Sequence, residues 1–471
     1  MPPLPFAPPL LQALQGSIQG TVSVPGTPAY EAARATWNTT TTHYPALIVE
    51  AQHSADVPVA IQFARQQGLR VAVQATGHGL LPTCDGQLLL KTTALKGVDS
   101  PDGADWAWVE AGVLWPEVLQ VTQPRGLAPL MGFTGTVGVV GFTLNGGLGW
   151  LSRQYGLAAD HLLAIRLVTM DGQERLVSPD SHPDLFWALC GNGPGIGVVT
   201  AIQVKLHPVT EVVAGKFYFP ATRAAEVLEA YRGWTATWPD TLTSVINVVT
   251  LPPYEDIPEP IRGQSVVELA LCVTDSLAAA QALLAPIKQL QPLLQFATLC
   301  PYSALLGFSD DPQEPSKLAG YHLLFDELSP EAMTALATQI VENPALSSLI
   351  LELRHLGGAI ATTPSKHASF CHRQTSYLLH IIAPLGPQES PTSGAARIAA
   401  LRNAMAPYAS GNTLKSFLYR SDDAQRVIAS YTPDTLAALV RIRQQYDPHQ
   451  RQLTVLPQEA DLNQRVLQGK N

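Results

Sequence analysis

The chain has 471 residues, with 29 Lys and Arg against 38 Asp and Glu, a formal net charge of −9 and only 14% charged residues. No basic cluster interrupts it, which argues against nucleic acid as a partner. No apolar run reaches the roughly 18 residues that span a bilayer, and 46% of residues are hydrophobic, so the composition predicts a soluble, non-membrane protein of two or three domains with a large core.

Five cysteines, Cys84, Cys190, Cys272, Cys300 and Cys371, are odd in number and widely spaced, with no CxxC pair. That pattern suits reduced thiols in a cytoplasmic protein and neither a disulfide framework nor a metal site. The opening MPPLPFAPPLLQALQGS has no Lys or Arg and is broken by prolines, which predicts a strap or frayed end and not a secretory signal.

Residues 43–98 alternate short strands with a helix: ALIVEA, DVPVAIQFARQQ with apolar residues at helical spacing, RVAVQA and QLLLKTTAL. This βαβ pattern leads into VAVQATGHG, where an apolar strand turns through Thr76 and Gly77 and leaves His78 between Gly77 and Gly79. WAWVEAGVLWPEVLQVTQPRGL repeats strand, helix and a glycine stop at Gly126.

The segment Leu130–Asp160 follows. Gly132, Gly135, Gly138, Gly141, Gly146, Gly147 and Gly149 crowd into it, too densely for a helix. Such a run costs backbone entropy, which a close approach to the main chain justifies. A phosphate fits that description, because unhindered N–H groups form an anion-binding concavity; tight turns with no ligand are the alternative.

LLAIRLVTMDGQERLVS reads as a hairpin turning at Asp171-Gly172. DSHPDLFWALCGN reads as a helix capped by Ser181 or Asp180 with Pro183 in its first turn. The glycines from Gly191 to Gly197 resemble a dinucleotide fingerprint, but they follow a helix and open a strand, which rules out NAD binding by that loop. From 211 to about 400, VVAGKFYF, TSVINVV, QSVVELALCV, YHLLFDEL, SSLILELRHLGGAI and SYLLHIIA alternate with AAEVLEAYRGW, SLAAAQALLAPIKQL and EAMTALATQIV. That order predicts one antiparallel sheet backed by helices. ALVRIRQQYDP closes the pattern as an amphipathic helix.

The strand ending in GH, the run TVGVVGFTLNGGLGWLSRQYGLAAD and the segment HPDLFWALCGNGPGIGVVT together resemble the flavoprotein oxidases of the vanillyl-alcohol-oxidase (PCMH-type) superfamily, in the berberine-bridge-enzyme-like branch. The resemblance is strong from about Gly16 to Pro208 and returns at LRHLGGAI and from Thr435 to Pro448. It implies an α+β fold: a PCMH-type two-subdomain FAD-binding domain over 43–210, entered by 1–42, a substrate domain over 211–410 with an antiparallel sheet backed by helices, and a segment 411–471 returning to the FAD domain.

The resemblance also implies roles for particular residues. His78 stands where the family bonds a histidine to the 8α-methyl of FAD, with Thr76, Gly77 and Gly79 beside it. Thr134 stands where many relatives carry a second, cysteinyl link, so FAD is attached once, as in the mono-covalent bacterial members. Gln74 and Thr76 replace the family's arginine and a glycine of its RxGGH motif, which leaves non-covalent FAD as the alternative.

Phosphate contacts fall to Gly135, Thr136, Val137, Gly138 and Gly141, with Asn145, Gly146 and Trp150 nearby, and the backbone of Gly197, Val198 and Val199 lies along the isoalloxazine. Val137 holds the small gatekeeper position that favours an oxidase. Tyr155 and Asp160 read equally as structural. After Tyr446-Asp447-Pro448 the family's asparagine and phenylalanine are missing, which implies relaxed packing or an unusual substrate.

Oxidising an alcohol or amine carbon requires a positioned proton acceptor. The substrate region offers Glu352, Arg354 with His355, Tyr377, His380 and Tyr419, of which Glu352, Tyr377 and Tyr419 are the catalytic candidates. Glu352 alternates with leucines and therefore faces away from them. The expected activity is an oxidase that passes hydride from a small neutral molecule to flavin and electrons to molecular oxygen, giving hydrogen peroxide. A dehydrogenase, a biosynthetic cyclase or desaturase, and an FAD-binding protein without catalysis are the alternatives.

Overall fold

The computed structural model describes residues 6–40, 42–79, 83–191, 193, 195–364, 368–419 and 422–454, and three β-sheets carry it. Asn192 and Pro194 of the second glycine loop lie outside the described residues. The proline-rich start is a helix over Pro8–Gly16, with its prolines in the first turn where no N–H is needed.

The first sheet runs in the order β1 (Thr21–Ser23), β2 (Leu47–Glu50), β4 (Leu88–Lys91), β3 (Val71–Gln74). β1 is antiparallel to β2, while β2 and β3 each run parallel to β4. Leu47, Ile48, Val49, Leu88, Leu89 and Leu90 are fully buried, the unbroken apolar runs of parallel strands covered on both faces. The helix Asp56–Gln66 between β2 and β3 buries Val57, Ala60, Ile61 and Ala64, one stripe at helical spacing.

The second sheet has the order β5 (Val98–Asp99), β6 (Trp106–Glu110), β9 (Val198–Lys205), β7 (Leu162–Val168), β8 (Glu174–Val177) and is antiparallel throughout. β7 and β8 form the expected hairpin. Its turn has Gly172 at a left-handed φ of 86°, and Asp171 Oδ1 accepts the Gln173 N–H at 3.1 Å.

The helix Pro183–Leu189 does begin with its proline, but the residue before it is His182 at φ 55°, with no side-chain cap. Neither Asp180 nor Ser181 caps it. The Ser181 hydroxyl instead donates to the Leu176 carbonyl at 3.3 Å, a local turn winning over the cap.

The third sheet is seven-stranded and antiparallel: β13 (Leu294–Pro301), β10 (Glu211–Pro220), β12 (Ser265–Val273), β11 (Leu242–Thr250), β15 (Ile350–His355), β16 (Tyr377–Pro384) and β14 (Leu318–Phe325). One face packs Phe217, Leu269, Ile246, Leu353 and Leu379 under the helices Ala224–Thr235, Leu277–Gln289, Pro330–Glu342 and Pro391–Met405. Because side chains alternate, the neighbouring positions fall on the other face. There the register places Tyr218, Glu268, Asn247, Glu352, His380 and His322 directly opposite one another on successive strands. β13 escapes the sequence pattern because it is an edge strand with most of its side chains exposed.

Two buried groups join the glycine-rich segment to the large sheet. Asp160 and Arg373 form a two-pronged pair at 2.6 and 3.0 Å, with side chains only 2% and 5% exposed. Arg153 donates to the Leu242 carbonyl at 2.8 Å and pairs with Asp240 at 3.2 Å. Asp160 is thus a structural residue, and Tyr155 packs on His207 with ring centroids 4.2 Å apart.

The helix Pro433–Tyr446 returns to the first half of the chain, where the Tyr446 hydroxyl donates to Asp184 at 3.4 Å. Beyond it the tail is clamped, not relaxed. Leu453 donates to the Val71 carbonyl at 2.8 Å, and the Gln452 carboxamide closes on the N–H and C=O of Gly197 at 2.5 and 3.1 Å. Among the described residues, no helix is long and apolar enough to cross a membrane.

Candidate functional site

A cavity of about 380 Å³ opens between the glycine-rich segment and the polar face of the seven-stranded sheet. Its first wall is the end of β3 and the turn after it, Gln74 to Gly79. Its second is the glycine run, with Thr134, Val137, Gly138, Gly141 and Asn145 on the surface. Val199 lines it from β9, Leu453 and Thr454 from the tail, and Asp311, Arg354, Lys415, Ser416 and Phe417 from the other side.

His78 is held rather than loose. One ring nitrogen, Nδ1, lies 2.9 Å from Thr76 Oγ1 and the other, Nε2, lies 3.1 Å from Thr136 Oγ1, while the ring stacks on Trp37 at 4.2 Å. Hydroxyls on both sides satisfy either tautomer, since each can donate or accept. Burial pushes the imidazole down to about 4, so it is neutral at physiological pH and keeps a lone pair for bond formation. Thr134 Oγ1 continues this chain at 3.2 Å from Thr136, and a hydroxyl there offers no thiol for a second link.

The run folds as sequence chemistry dictates. Gly77 takes a φ of 79° with Thr36 packed against it, so a side chain there is strained and crowded. The short helix Val139–Leu144 starts after Gly138, and the Val139 N–H at its start donates to the Val113 carbonyl at 3.0 Å.

These walls fit an FAD. A side chain at Gly141 would meet nothing within 4 Å, so its main chain fronts open space. Gln74 donates to the Ala35 carbonyl at 2.7 Å, but its Oε1, buried on the cavity wall, has no hydrogen bond. A buried acceptor of that kind calls for a donor from a ligand.

Not every residue named for the cofactor reaches the wall. Trp150 is buried between Phe133 and Phe308, with ring centroids 4.5 and 5.5 Å away, and Gly146 is closed off by Phe370. Gly135 backs onto Pro116 and Leu306, Thr136 serves His78, and Gly197 with Val198 is tied into β9 and the tail clamp.

On the sheet side the structure brings Glu352 and Tyr419 together through a residue between them. His380 Nδ1 lies 2.8 Å from Glu352 Oε2 and its Nε2 lies 2.9 Å from the Tyr419 hydroxyl. Burial alone would raise the Glu352 carboxyl, but the Arg354 charge and the His380 contact outweigh it and hold the group at about 2. Burial, then the Glu352 and Asp422 charges, push the Tyr419 phenol well above its ordinary value. Its ring lies on Gly320, where any side chain would overlap it.

Tyr377 is not part of this group. It faces the helices, with its hydroxyl 2.8 Å from Thr235 Oγ1 and its ring stacked on His355. Position 377 has the parity of Leu379 and not of His380, which carries it to the opposite face.

Glu352, His380 and Tyr419 stand one layer behind the cavity, screened by Arg354, which the sequence offered, and by Asp311 and Lys415, which sequence reasoning did not single out. Arg354 reaches the wall with its guanidinium 4.1 Å from the Phe133 ring and an N–H on Glu352 at 2.9 Å. Asp311 lines the cavity and accepts the Ser309 hydroxyl at 2.7 Å; burial and then the Glu352 charge raise its pKa. Lys415 lines it too, and burial brings its ammonium down to about 7. No periodicity marks Asp311, which sits in a loop before β14.

Comparison with known proteins agrees with this geometry. Residues 45–178 match the FAD binding domain family. An FAD-linked oxidoreductase of Dictyostelium discoideum is 27% identical over 444 residues, covering 92% of this chain and 93% of the relative. (R)-6-hydroxynicotine oxidase of Paenarthrobacter nicotinovorans is 32% identical over 213 residues, 45% of this chain and 46% of the relative. The crystal structure of 6-hydroxy-D-nicotine oxidase from Arthrobacter nicotinovorans superposes with a TM-score of 0.82 at 22% identity, covering 95% of this chain and 98% of that one. The chain is an FAD-dependent oxidoreductase with an FAD binding domain over residues 45–178, and it has the fold of 6-hydroxy-D-nicotine oxidase.

Proposed function

We propose that the protein is an oxidase of a small, neutral, partly apolar alcohol or amine, with a single covalent FAD link at His78 and none at Thr134. Residues 43–210 and the C-terminal segment from 411 hold the cofactor, and 211–410 close the substrate pocket over it. FAD held there would supply the hydride acceptor for the substrate carbon and the route by which the electrons pass to dioxygen, giving hydrogen peroxide.

The observation that carries the proposal is Asp311 on the cavity wall, a carboxylate with a raised pKa opposite the His78 and glycine-run wall. Asp311 takes the O–H or N–H proton as the substrate is oxidised, a role for which a carboxyl shifted toward neutrality is suited. Burial is the larger cause of that shift, and the negative charge of Glu352 adds to it by opposing ionisation of Asp311. Arg354 and His380 both fix Glu352 at the same carboxylate oxygen, and Tyr419 in turn holds His380. The Phe133 and Phe417 rings flank the Arg354 guanidinium and give the pocket its apolar surface.

The test is a panel of neutral alcohols and amines offered to the holoenzyme in air, read by peroxide release and by anaerobic bleaching of the yellow colour. An oxidase substrate bleaches the flavin, and air restores it with stoichiometric peroxide. Bleaching that air does not reverse would identify a dehydrogenase, and a flavin that only dithionite bleaches would identify a binding protein without catalysis.

A further inference from the structure

Asp311 sits in the loop between Gly307 and β14, and the residues just before it are tied down from different sides. The Ser309 hydroxyl has one proton for two acceptors, the Phe133 carbonyl at 3.0 Å and Asp311 Oδ2 at 2.7 Å. Asp310 forms an ion pair with Lys216 of β10. Lys216 has the parity of Tyr218, so it belongs to the polar face of the seven-stranded sheet. Phe308 lies under the same ammonium, its ring centroid 5.2 Å from Lys216 Nζ, and packs edge-on against Trp150 at 5.5 Å.

The two members of the ion pair differ sharply in burial: the Lys216 side chain is 3% exposed and that of Asp310 is 71% exposed. Lys216 has a second carboxylate, the buried Glu268 on β12, at 3.6 Å, so its charge is matched without Asp310. Asp310 for its part takes a left-handed φ of 56°, a conformation that residues other than glycine enter at a cost. An exposed carboxylate gains little stability from an ion pair. What the contact does determine is the path of the chain, which turns at Asp310 and places Asp311 on the cavity wall.

We propose that Lys216 and Asp310 are positioning residues for the oxidation, their ion pair pinning the loop so that the Asp311 carboxyl stays on the cavity wall. The inference rests on the reading of Asp311 as the proton acceptor. Around that carboxyl stand Glu352 and Arg354 on β15 and His380 on β16, with Lys415 on the same cavity wall. These groups act on it only while the loop holds it there. A carboxyl released into water loses both its burial and the field of Glu352. It also leaves hydrogen-bond reach of the substrate O–H or N–H, which proton transfer requires.

The measurement is an infrared titration of the yellow holoenzyme, following the carboxyl C=O band that D311N removes. In D310N and in K216M that band is expected to vanish at lower pH than in the native protein, the ionisation constant of Asp311 rising at least threefold, about half a pH unit. Charge acting through space alone moves the two variants apart, since losing a nearby anion favours ionisation and losing a nearby cation opposes it. Release of the loop moves both the same way. If K216M leaves Glu268 unpaired and does not fold, K216M with E268Q is compared with E268Q alone. Unchanged midpoints in folded, yellow variants overturn the proposal, and so do opposite shifts, a shift in only one variant or an upward shift in both. A native band at the ordinary aspartate value of about 3.9, or no band that D311N removes, would instead refute the Asp311 reading on which the inference rests.

Discussion

Glu352 Oε2 and His380 Nδ1 face each other at 2.8 Å from paired positions on neighbouring strands. This pair, with Arg354 on the same carboxylate oxygen, holds a permanent negative charge behind the cavity. Its consequence is electrostatic, because that charge adds to burial, the larger cause, in raising the pKa of Asp311.

Asp311→Asn is therefore expected to lower kcat by about 10²–10⁴-fold while FAD content stays unchanged. Glu352→Gln removes the charge that raises Asp311, so the Asp311 pKa falls and the acid limb of the kcat/KM profile moves to lower pH. Tyr419→Phe, which only breaks the contact with His380, is expected to cost less than about tenfold, since it removes no group from the wall. Steady-state peroxide release across pH reads all three. A loss for Tyr419→Phe as large as that for Asp311→Asn would move the base to the tyrosine.

Gly320 leaves room for the Tyr419 ring, and an added Cβ would come within 2.7 Å of its hydroxyl and closer still to the ring. Gly320→Ala is expected to destabilise the protein by about 1–3 kcal/mol through overpacking, read as a lower Tm. An unchanged Tm would show that the tyrosine does not pack there.

His78 is neutral down to about pH 4, since burial disfavours its charged form. Incorporation of FAD into apoprotein is thus expected to be as complete at pH 5.5 as at pH 7.5. A fall centred near pH 6.5, the ordinary imidazole value, would mean that the ring is solvated.

Asp160 and Arg373 join the glycine-rich half to the seven-stranded sheet through a buried two-pronged pair. Asp160→Asn leaves Arg373 as an uncompensated buried charge and is expected to cost about 3–5 kcal/mol, measured by denaturant unfolding. A loss under about 1 kcal/mol, the usual range for an exposed pair, would place the pair in contact with water.

How much of this was legible in the sequence varies with the kind of signal. His78, Thr134, Val137 and the glycine run were legible because backbone conformation and close approach demand particular residue types at fixed spacing. Six of the seven strands of the large sheet were legible as apolar runs, β13 being the exception, and alternation with leucines gave the side on which Glu352 falls.

Strand order was not legible. β4 lies between β2 and β3, and the six-residue polar row exists only once β10, β12, β11, β15, β16 and β14 are in register. Asp311 and Lys415 were missed for a related reason: each sits in a loop, and only the packing of two halves of the chain brings them to one cavity. Tyr377 was misplaced because an isolated tyrosine carries no mark of its face until its strand is aligned with Leu379 and Ile381.

The central claim is an FAD anchored by His78 in this cavity, and acid precipitation of the purified protein beside a His78→Ala variant tests it most directly. The yellow colour should stay in the native pellet and move to the supernatant for the variant. Colour released from both would contradict the anchor, and a colourless native protein would contradict the site itself.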